Sequence, residues 1–208
     1  MVRPVAVNQH FWESYSRNFL TISVSQLVVR SFNYTQQQSS QKSDTTRQPR
    51  EGEILGKSYH FVNRDVFQKL IQAGSFIEYA TFSNNYYGTS AKAVAEVGLQ
   101  NRRCILDIDA QGVKIIKDKH QNLQPTFVFL SPPSIDSLAR RLVKRGSETE
   151  ESLRSRLDAA KGEMEYAQTG AFDYVIVNDD IEQAYEKLRK VALGEGTESD
   201  ILPDNRIA

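Results

Sequence analysis

The chain has 208 residues with 26 basic and 26 acidic side chains, so its formal net charge is zero and nothing in the charge calls for a nucleic acid or an acidic membrane as partner. Hydrophobic residues make up 39%, enough for one sizeable core, and no apolar stretch approaches the length of a membrane helix. The single cysteine, Cys104, cannot form an internal disulfide, and the N-terminus lacks a charged region followed by an apolar one, so a cytoplasmic, reducing location is expected.

In chain order, Pro4-Val5-Ala6-Val7 reads as a first buried strand. Residues 26–42, which include Gln36-Gln37-Gln38-Ser39-Ser40-Gln41, have the polar composition of a disordered insert, with a short strand around Leu27-Val28-Val29 as the alternative. Between 44 and 97 short strands surround one helix over 65–72, closed by Gly74. Continuous apolar runs at 104–108, 126–130 and 174–177 predict further strands of a buried parallel sheet. Helical periodicity follows at 109–119, 134–144, 149–168 and 180–191, with Ser134, Thr149 and Asp180 as N-caps and Gly146 and Gly170 as stops. Residues 196–208 read as a flexible tail. The alternation of strand and helix predicts an α/β fold, a three-layer sandwich around a mainly parallel sheet.

The chemistry concentrates in Ser43-Asp44-Thr45-Thr46-Arg47-Gln48-Pro49-Arg50-Glu51-Gly52-Glu53, followed by Tyr59, Glu78, Tyr86-Tyr87-Gly88-Thr89 and Asp107-Ile108-Asp109. Paired arginines grip phosphate through a fixed fork and tyrosine hydroxyls complete the oxygen contacts, whereas carboxylates accept from amino and imino groups such as those on one edge of guanine. A site holding both suggests a nucleoside monophosphate. Plainer readings stand beside this one: a solvated turn for Arg47 and Arg50, strand packing for Tyr86, a helix N-cap for Asp109 and a salt-bridged structural role for Asp107. His10, His60 and His120 stand alone without metal spacing, so no protein-built metal site is expected.

Several blocks closely resemble guanylate kinase: Thr45-Thr46-Arg47-x-Pro49-Arg50-x-Gly52-Glu53, Phe76-Ile77-Glu78, Asn85-Tyr86-Tyr87-Gly88-Thr89 and Cys104-Ile105-Leu106-Asp107-Ile108-Asp109-x-Gln111-Gly112-Val113. The likeness continues through Arg140-Arg141-Leu142-x-x-Arg145-Gly146-x-Glu148-Thr149-Glu150-Glu151-Ser152 and Val175-Ile176-Val177-Asn178-Asp179-Asp180. It implies a P-loop NTPase-like core over 1–43, 98–133 and 171–195, a GMP-binding subdomain over 44–97 and a helical lid over 134–170, in a monomer that transfers the terminal phosphate of ATP, carried with Mg2+, to GMP. It further implies that Ser43, Arg47, Arg50, Tyr59 and Tyr87 hold the GMP phosphate, that Glu78 and Asp109 accept from the guanine edge while Thr89 donates to the base oxygen, and that Asp107 belongs to the GMP-binding set, near GMP and the magnesium-bound phosphates. Arg141, Arg145 and Arg156 would neutralise the transferring phosphoryl group, and Asn178 would meet adenine.

One block of the pattern is missing. Kinases of this family open with a strand and a Gly-x-x-x-x-Gly-Lys-Ser/Thr loop that cradles the ATP phosphates, but here Asn8-Gln9-His10-Phe11-Trp12 follows the first strand and no glycine precedes Gly52. Gly52-Glu53-Ile54-Leu55-Gly56-Lys57-Ser58 imitates the motif with one residue too few between its glycines and runs into a strand-like alternation instead of a helix. Residues from Phe11 to Ser25 more faintly resemble the segment that follows the loop helix, so only the loop and its helix are absent. The gap and the neighbouring insert have the form of an altered transcript or of a paralogue that has given up phosphotransfer. The alternative function is therefore a non-catalytic module that binds GMP or a phosphopeptide, and a third is a chain that aggregates because apolar sheet surface is left uncovered.

Overall fold

The computed structural model describes residues 25–30, 38–40, 43–50, 52–56, 59–82, 84–99, 103–146 and 149–203. The strand expected at 4–7 lies outside them. Two compact units divide the chain, one formed by residues 28–125 and the other by the residues on either side of that stretch.

The first unit holds two sheets. Strand β1 (Ser25–Arg30), which runs into it, and β2 (Gln38–Ser40) flank β7 (Arg103–Ile108), with β2 parallel to β7 from Gln38 opposite Arg103 to Ser40 opposite Ile105. The stretch 26–42, expected to be disordered, thus supplies two strands. Leu27-Val28-Val29 has the apolar, β-branched character that a strand needs, and ladder hydrogen bonds run through the backbone, so the polar side chains of Gln38-Ser39-Ser40 do not prevent pairing at a sheet edge.

The second sheet has the order β4-β3-β6-β5, built from β3 (Asp44–Thr45), β4 (His60–Phe61), β5 (Phe76–Phe82) and β6 (Asn85–Ser90). Helix α1 (Arg64–Gln72) starts where Asn63 Oδ1 accepts from the Val66 amide at 2.8 Å and ends before Gly74, whose φ of 63° only a glycine adopts cheaply. Its Phe67 is fully buried, with its ring stacked between Phe76 at 4.6 Å and Tyr86 at 5.3 Å, and Arg64 covers the far face of Tyr86. Helices α2 (Ala91–Leu99) and α3 (Ala110–Lys119) both pack on β7, and α3 also packs on β5. A single turn of 3-10 helix, Gln121–Leu123, closes the unit.

In the other unit β8 (Thr126–Ser131) and β9 (Tyr174–Val177) pair in parallel, Val128 opposite Tyr174 through Ser131 opposite Val177. Helices α4 (Ile135–Arg145) and α5 (Glu150–Gln168) close over Phe129 with Leu138, Leu142, Ala160, Met164 and Ala167, all buried. The caps read in the sequence are present: Ser134, Thr149 and Asp180 each accept from the amide three residues on, Asp180 opening α6 (Ile181–Leu193), and Gly146 and Gly170 take left-handed φ of 71° and 76°. The stretch after 196, expected to hang free, is tied down as far as Pro203. The Asp200 amide donates to the Val175 carbonyl at 2.8 Å, its carboxylate accepts from the Val177 amide at 2.9 Å and pairs with Lys187, and Leu202 packs on the core. Those bonds satisfy the outer edge of β9, which would otherwise present unpaired backbone groups.

Gly88 marks the tightest approach in the second sheet. A Cβ there would meet Phe67 Cζ at 3.0 Å, Phe76 Cδ1 at 3.1 Å and the Glu78 carbonyl at 3.2 Å. Gly88→Ala is expected to lower stability by about 1 to 3 kcal/mol through overpacking, read as a lowered urea midpoint. An unchanged midpoint would mean that the two rings give way freely.

Candidate nucleotide-binding site

The β4-β3-β6-β5 sheet has one face closed by α1 and another that gathers polar side chains. Alternation on β6 sends Gly88 toward the α1 side and Tyr87 and Thr89 to the opposite one. Glu78 joins them only because β5 bulges. Phe76 pairs with Ser90 and Glu78 with Thr89, so Ile77 is the extra residue and the two side chains flanking it point to opposite faces. Without the bulge Glu78 would share the face of Phe76 and sit among the stacked rings.

Glu78 is 4% exposed. The hydroxyl and amide of Thr89 both donate to its carboxylate, and Thr89 Oγ1 lies 3.3 Å from Ser43 Oγ. Burial, with a smaller push from Asp109, nevertheless raises the Glu78 pKa to about 7. Asp109 caps α3: its Oδ1 accepts from the Gly112 amide and its Oδ2 from Gln111 Nε2, each at 3.0 Å. Each Asp109 oxygen retains a second lone pair, so the capping role and an acceptor role coexist.

The phosphate-directed half is built around Arg47. Its Nη1 and Nη2 each meet one oxygen of Glu53 at 2.8 Å, a fork-to-fork pair, and Nη1 also donates to the Gln48 carbonyl at 2.7 Å. Among the described residues this leaves the Nε and Nη2 edge, the second parallel pair of donors on the guanidinium. The plane lies over Tyr59 and Phe61, and Tyr59 meets Tyr87 edge-on with centroids 6.4 Å apart. Burial, then the charge of Asp107, raises the Tyr59 pKa, so the phenol stays a neutral donor. Glu53 also accepts from the Arg50 amide at 2.7 Å, and Arg47 holds the Glu53 carboxyl below its usual range. Beneath the loop, buried Thr45 donates to the Tyr86 carbonyl and accepts the Arg47 amide, fixing where Arg47 leaves the sheet.

Within residues 28–125 the structure brings Ser43, Thr89, Glu78 and Asp109 together as one group and Arg47, Tyr59 and Tyr87 as another. Arg50 enters through its backbone, while its side chain is exposed. Asp107, near the C-terminal end of β7, is exposed, yet enough protein surrounds it that its pKa is pushed up to about 6. Arg141 and Arg145 on α4, Arg156 on α5 and Asn178 after β9 belong to the other unit. Arg141, Arg156 and Asn178 are half-buried, and the Asn178 amide donates to the Ser131 carbonyl at 2.7 Å. No helix follows Gly56, where the chain passes by a bridge between Leu55 and Tyr59 into β4, so that glycine pair is not a phosphate cradle. Two residues of the site carried no role in the sequence reading, Glu53 and Gly112, although both stood in the motifs.

Comparison with known proteins decides the family. A family model described as guanylate kinase matches residues 24–194. The guanylate kinase of Sus scrofa is 53% identical over 149 residues, 71% of this chain and 74% of its own. That of Homo sapiens is 51% identical over 149 residues, 71% and 75% of the two chains. The crystal structure of guanylate kinase from Anaplasma phagocytophilum superposes with a TM-score of 0.60 at 31% identity, covering 77% of each chain. The chain belongs to the guanylate kinase family. Its fold is the α/β, P-loop NTPase-like fold of that family, and its class is nucleoside monophosphate kinase, a transferase that phosphorylates GMP. Guanylate kinases use ATP and generally need a divalent metal. No helix among the described residues is long and apolar enough to cross a membrane.

The buried carboxylate gives this guanylate kinase a measurable pH signature. The folded-state pKa of Glu78, about 7, lies above the ordinary 4.5, so between those values the unfolded chain ionises first and stability falls as pH rises. The fall attributable to Glu78 is about 3 kcal/mol. Glu78→Gln cannot ionise, and its urea stability relative to the parent should improve by that amount between about pH 4 and pH 8. A constant difference across that range would show that Glu78 ionises as freely in the folded chain as in the unfolded one.

Proposed function

We propose that this chain binds GMP through the unit spanning residues 28–125 and that its phosphotransfer is slow because the ATP side lacks the glycine-rich loop. The observation that carries this reading is the pairing of opposite chemistries on one small sheet. The open Nε and Nη2 edge of Arg47 stands with Tyr59 and Tyr87, and the Glu78, Thr89 and Asp109 set stands on the neighbouring strands and helix cap. Ser43, Arg47, Arg50, Tyr59 and Tyr87 would take the phosphate, Glu78 and Asp109 the imino and amino groups of guanine, and Thr89 the base oxygen. Adenine offers no such donors and would leave a buried carboxylate unpaired, at a cost of about 1 to 3 kcal/mol or more.

For transfer, Arg141, Arg145 and Arg156 are the cations that would neutralise the moving phosphoryl group, and Asn178 would contact adenine. Among the described residues no group of three metal-ligating side chains occurs. Mg2+ prefers one carboxylate, water and phosphate oxygens to an all-protein cage, so it would arrive with the phosphates of ATP, and Asp107 would lie near GMP and those phosphates. Bound there, the ion would draw charge from the phosphate oxygens. The absent loop would remove several charge-assisted hydrogen bonds, each worth about 1.5 to 3 kcal/mol, so turnover drops by orders of magnitude while GMP binding persists. A monomer in the cytoplasm fits the buried single cysteine.

Titration calorimetry with GMP, and separately with magnesium and a non-hydrolysable ATP analogue, tests the proposal. Micromolar GMP binding with no ATP-analogue binding is the expected result, and saturable binding of both would mean that another segment replaces the loop and would overturn the reading of a broken ATP side. Binding of a phosphopeptide in place of GMP would favour the non-catalytic module. GMP affinity should rise about tenfold per pH unit up to about 7 and then level, because only the ionised Glu78 accepts from the base. Arg47→Ala should weaken GMP binding by about 1.5 to 3 kcal/mol at any pH.

A further inference from the structure

Gly112 has no conformational reason to be a glycine. It lies in the first turn of α3, and its φ is not among the positive values that favour glycine. A glycine inside a helix costs about 0.5 to 1 kcal/mol relative to alanine, so its presence points to space and not to backbone freedom. The space is specific: a Cβ at 112 would lie 2.9 Å from Glu78 Oε2, 3.2 Å from Ile108 Cβ and 3.3 Å from Ile108 Cδ1. The same residue donates its amide to Asp109 Oδ1 at 3.0 Å.

We propose that Gly112 is a positioning residue for base recognition: the volume its missing side chain leaves is where the Glu78 carboxylate rests, and its amide fixes the Asp109 carboxylate beside it. The inference rests on the reading of Glu78 and Asp109 as the groups that accept from guanine. Two carboxylates that must meet neighbouring donors on one rigid base need a fixed separation. Here a single residue sets both, Glu78 by contact and Asp109 by hydrogen bond. Adding one methyl group would push the Glu78 carboxylate, the far end of a flexible side chain, toward a rotamer that no longer faces Thr89, while the helix itself gains propensity.

The test uses Gly112→Ala in the full chain, with calorimetric affinities for GMP, for IMP, which lacks the 2-amino group, and for ribose 5-phosphate, which lacks the base. The expected result is a loss of about tenfold or more for GMP, a reduced preference for GMP over IMP, and an unchanged affinity for ribose 5-phosphate. An equal loss for all three ligands would mean a general structural effect, and retention of the GMP affinity and preference would mean that Glu78 does not need the space; either overturns the proposal. The double variant Gly112→Ala with Glu78→Asp supplies the rescue: the shorter side chain withdraws from the added methyl, so Glu78→Asp should cost far less in the alanine background than alone. If Gly112→Ala fails to fold, recovery of folding in the double variant supports the clash and failure to recover rules it out. If the parent chain itself does not prefer GMP to IMP, or Glu78→Gln leaves that preference intact, it is the base-reading assignment that fails.

Discussion

A carboxylate almost wholly removed from water sets the terms for the rest of the GMP-directed unit. Burying an ionised side chain costs several kcal/mol unless it is paired or hydrogen-bonded, and the hydrogen bonds that Glu78 accepts come from Thr89, a neutral donor. The cost appears as a raised pKa. The surrounding structure is arranged to keep the group in place all the same: the bulge at Ile77 turns it away from the aromatic stack, Thr89 on the paired strand anchors it, and the helix cap at Asp109 brings a second carboxylate near. An apolar residue at position 78 would cost nothing of this kind, so stability does not explain the carboxylate, whereas the proposed reading of guanine does.

The phosphate-directed half solves the opposite electrostatic problem. A guanidinium waiting for a dianion must be oriented without being neutralised entirely. Glu53 achieves this by engaging one edge of Arg47 through two bonds, while Tyr59 and Phe61 support the plane from below. Those contacts fix the fork in advance, so less side-chain entropy is lost when phosphate arrives at the other edge. The cation half is thus preorganised by a carboxylate, and the carboxylate half is held by neutral donors, which keeps the two charge types from collapsing onto one another.

Much of this was legible in the sequence wherever the cause is local. Ser134, Thr149, Asp180 and Asp109 cap helices because each carries an acceptor three residues before an amide it can reach, and Gly146 and Gly170 stop helices because the left-handed residue costs them little. Leu27-Val28-Val29 offered a strand as an alternative, but the strand at Gln38–Ser40 was not legible, since pairing satisfies the backbone whatever the side chains, and a Gln/Ser-rich composition speaks only about burial. Nor was the bulge: Phe76-Ile77-Glu78-Tyr79-Ala80 gives no alternation that says which residue is extra, and only the register with β6 does. Gly112 was visible as part of a motif, but its reason lies on a strand 34 positions earlier and could be seen only once α3 lay against β5.

The chain also separates two requirements that a phosphotransferase normally meets together. The contacts proposed for GMP lie within residues 28–125, where hydrogen bonds, stacked rings and caps support one another without any contribution from a glycine-rich loop. Transition-state stabilisation needs charge aimed at the moving phosphoryl group, and there each missing donor multiplies the loss because rate depends exponentially on the barrier. A loop deletion therefore weighs very unequally on the two functions: binding of the acceptor keeps its own local scaffold, whereas transfer loses the groups that act only at the reacting phosphate.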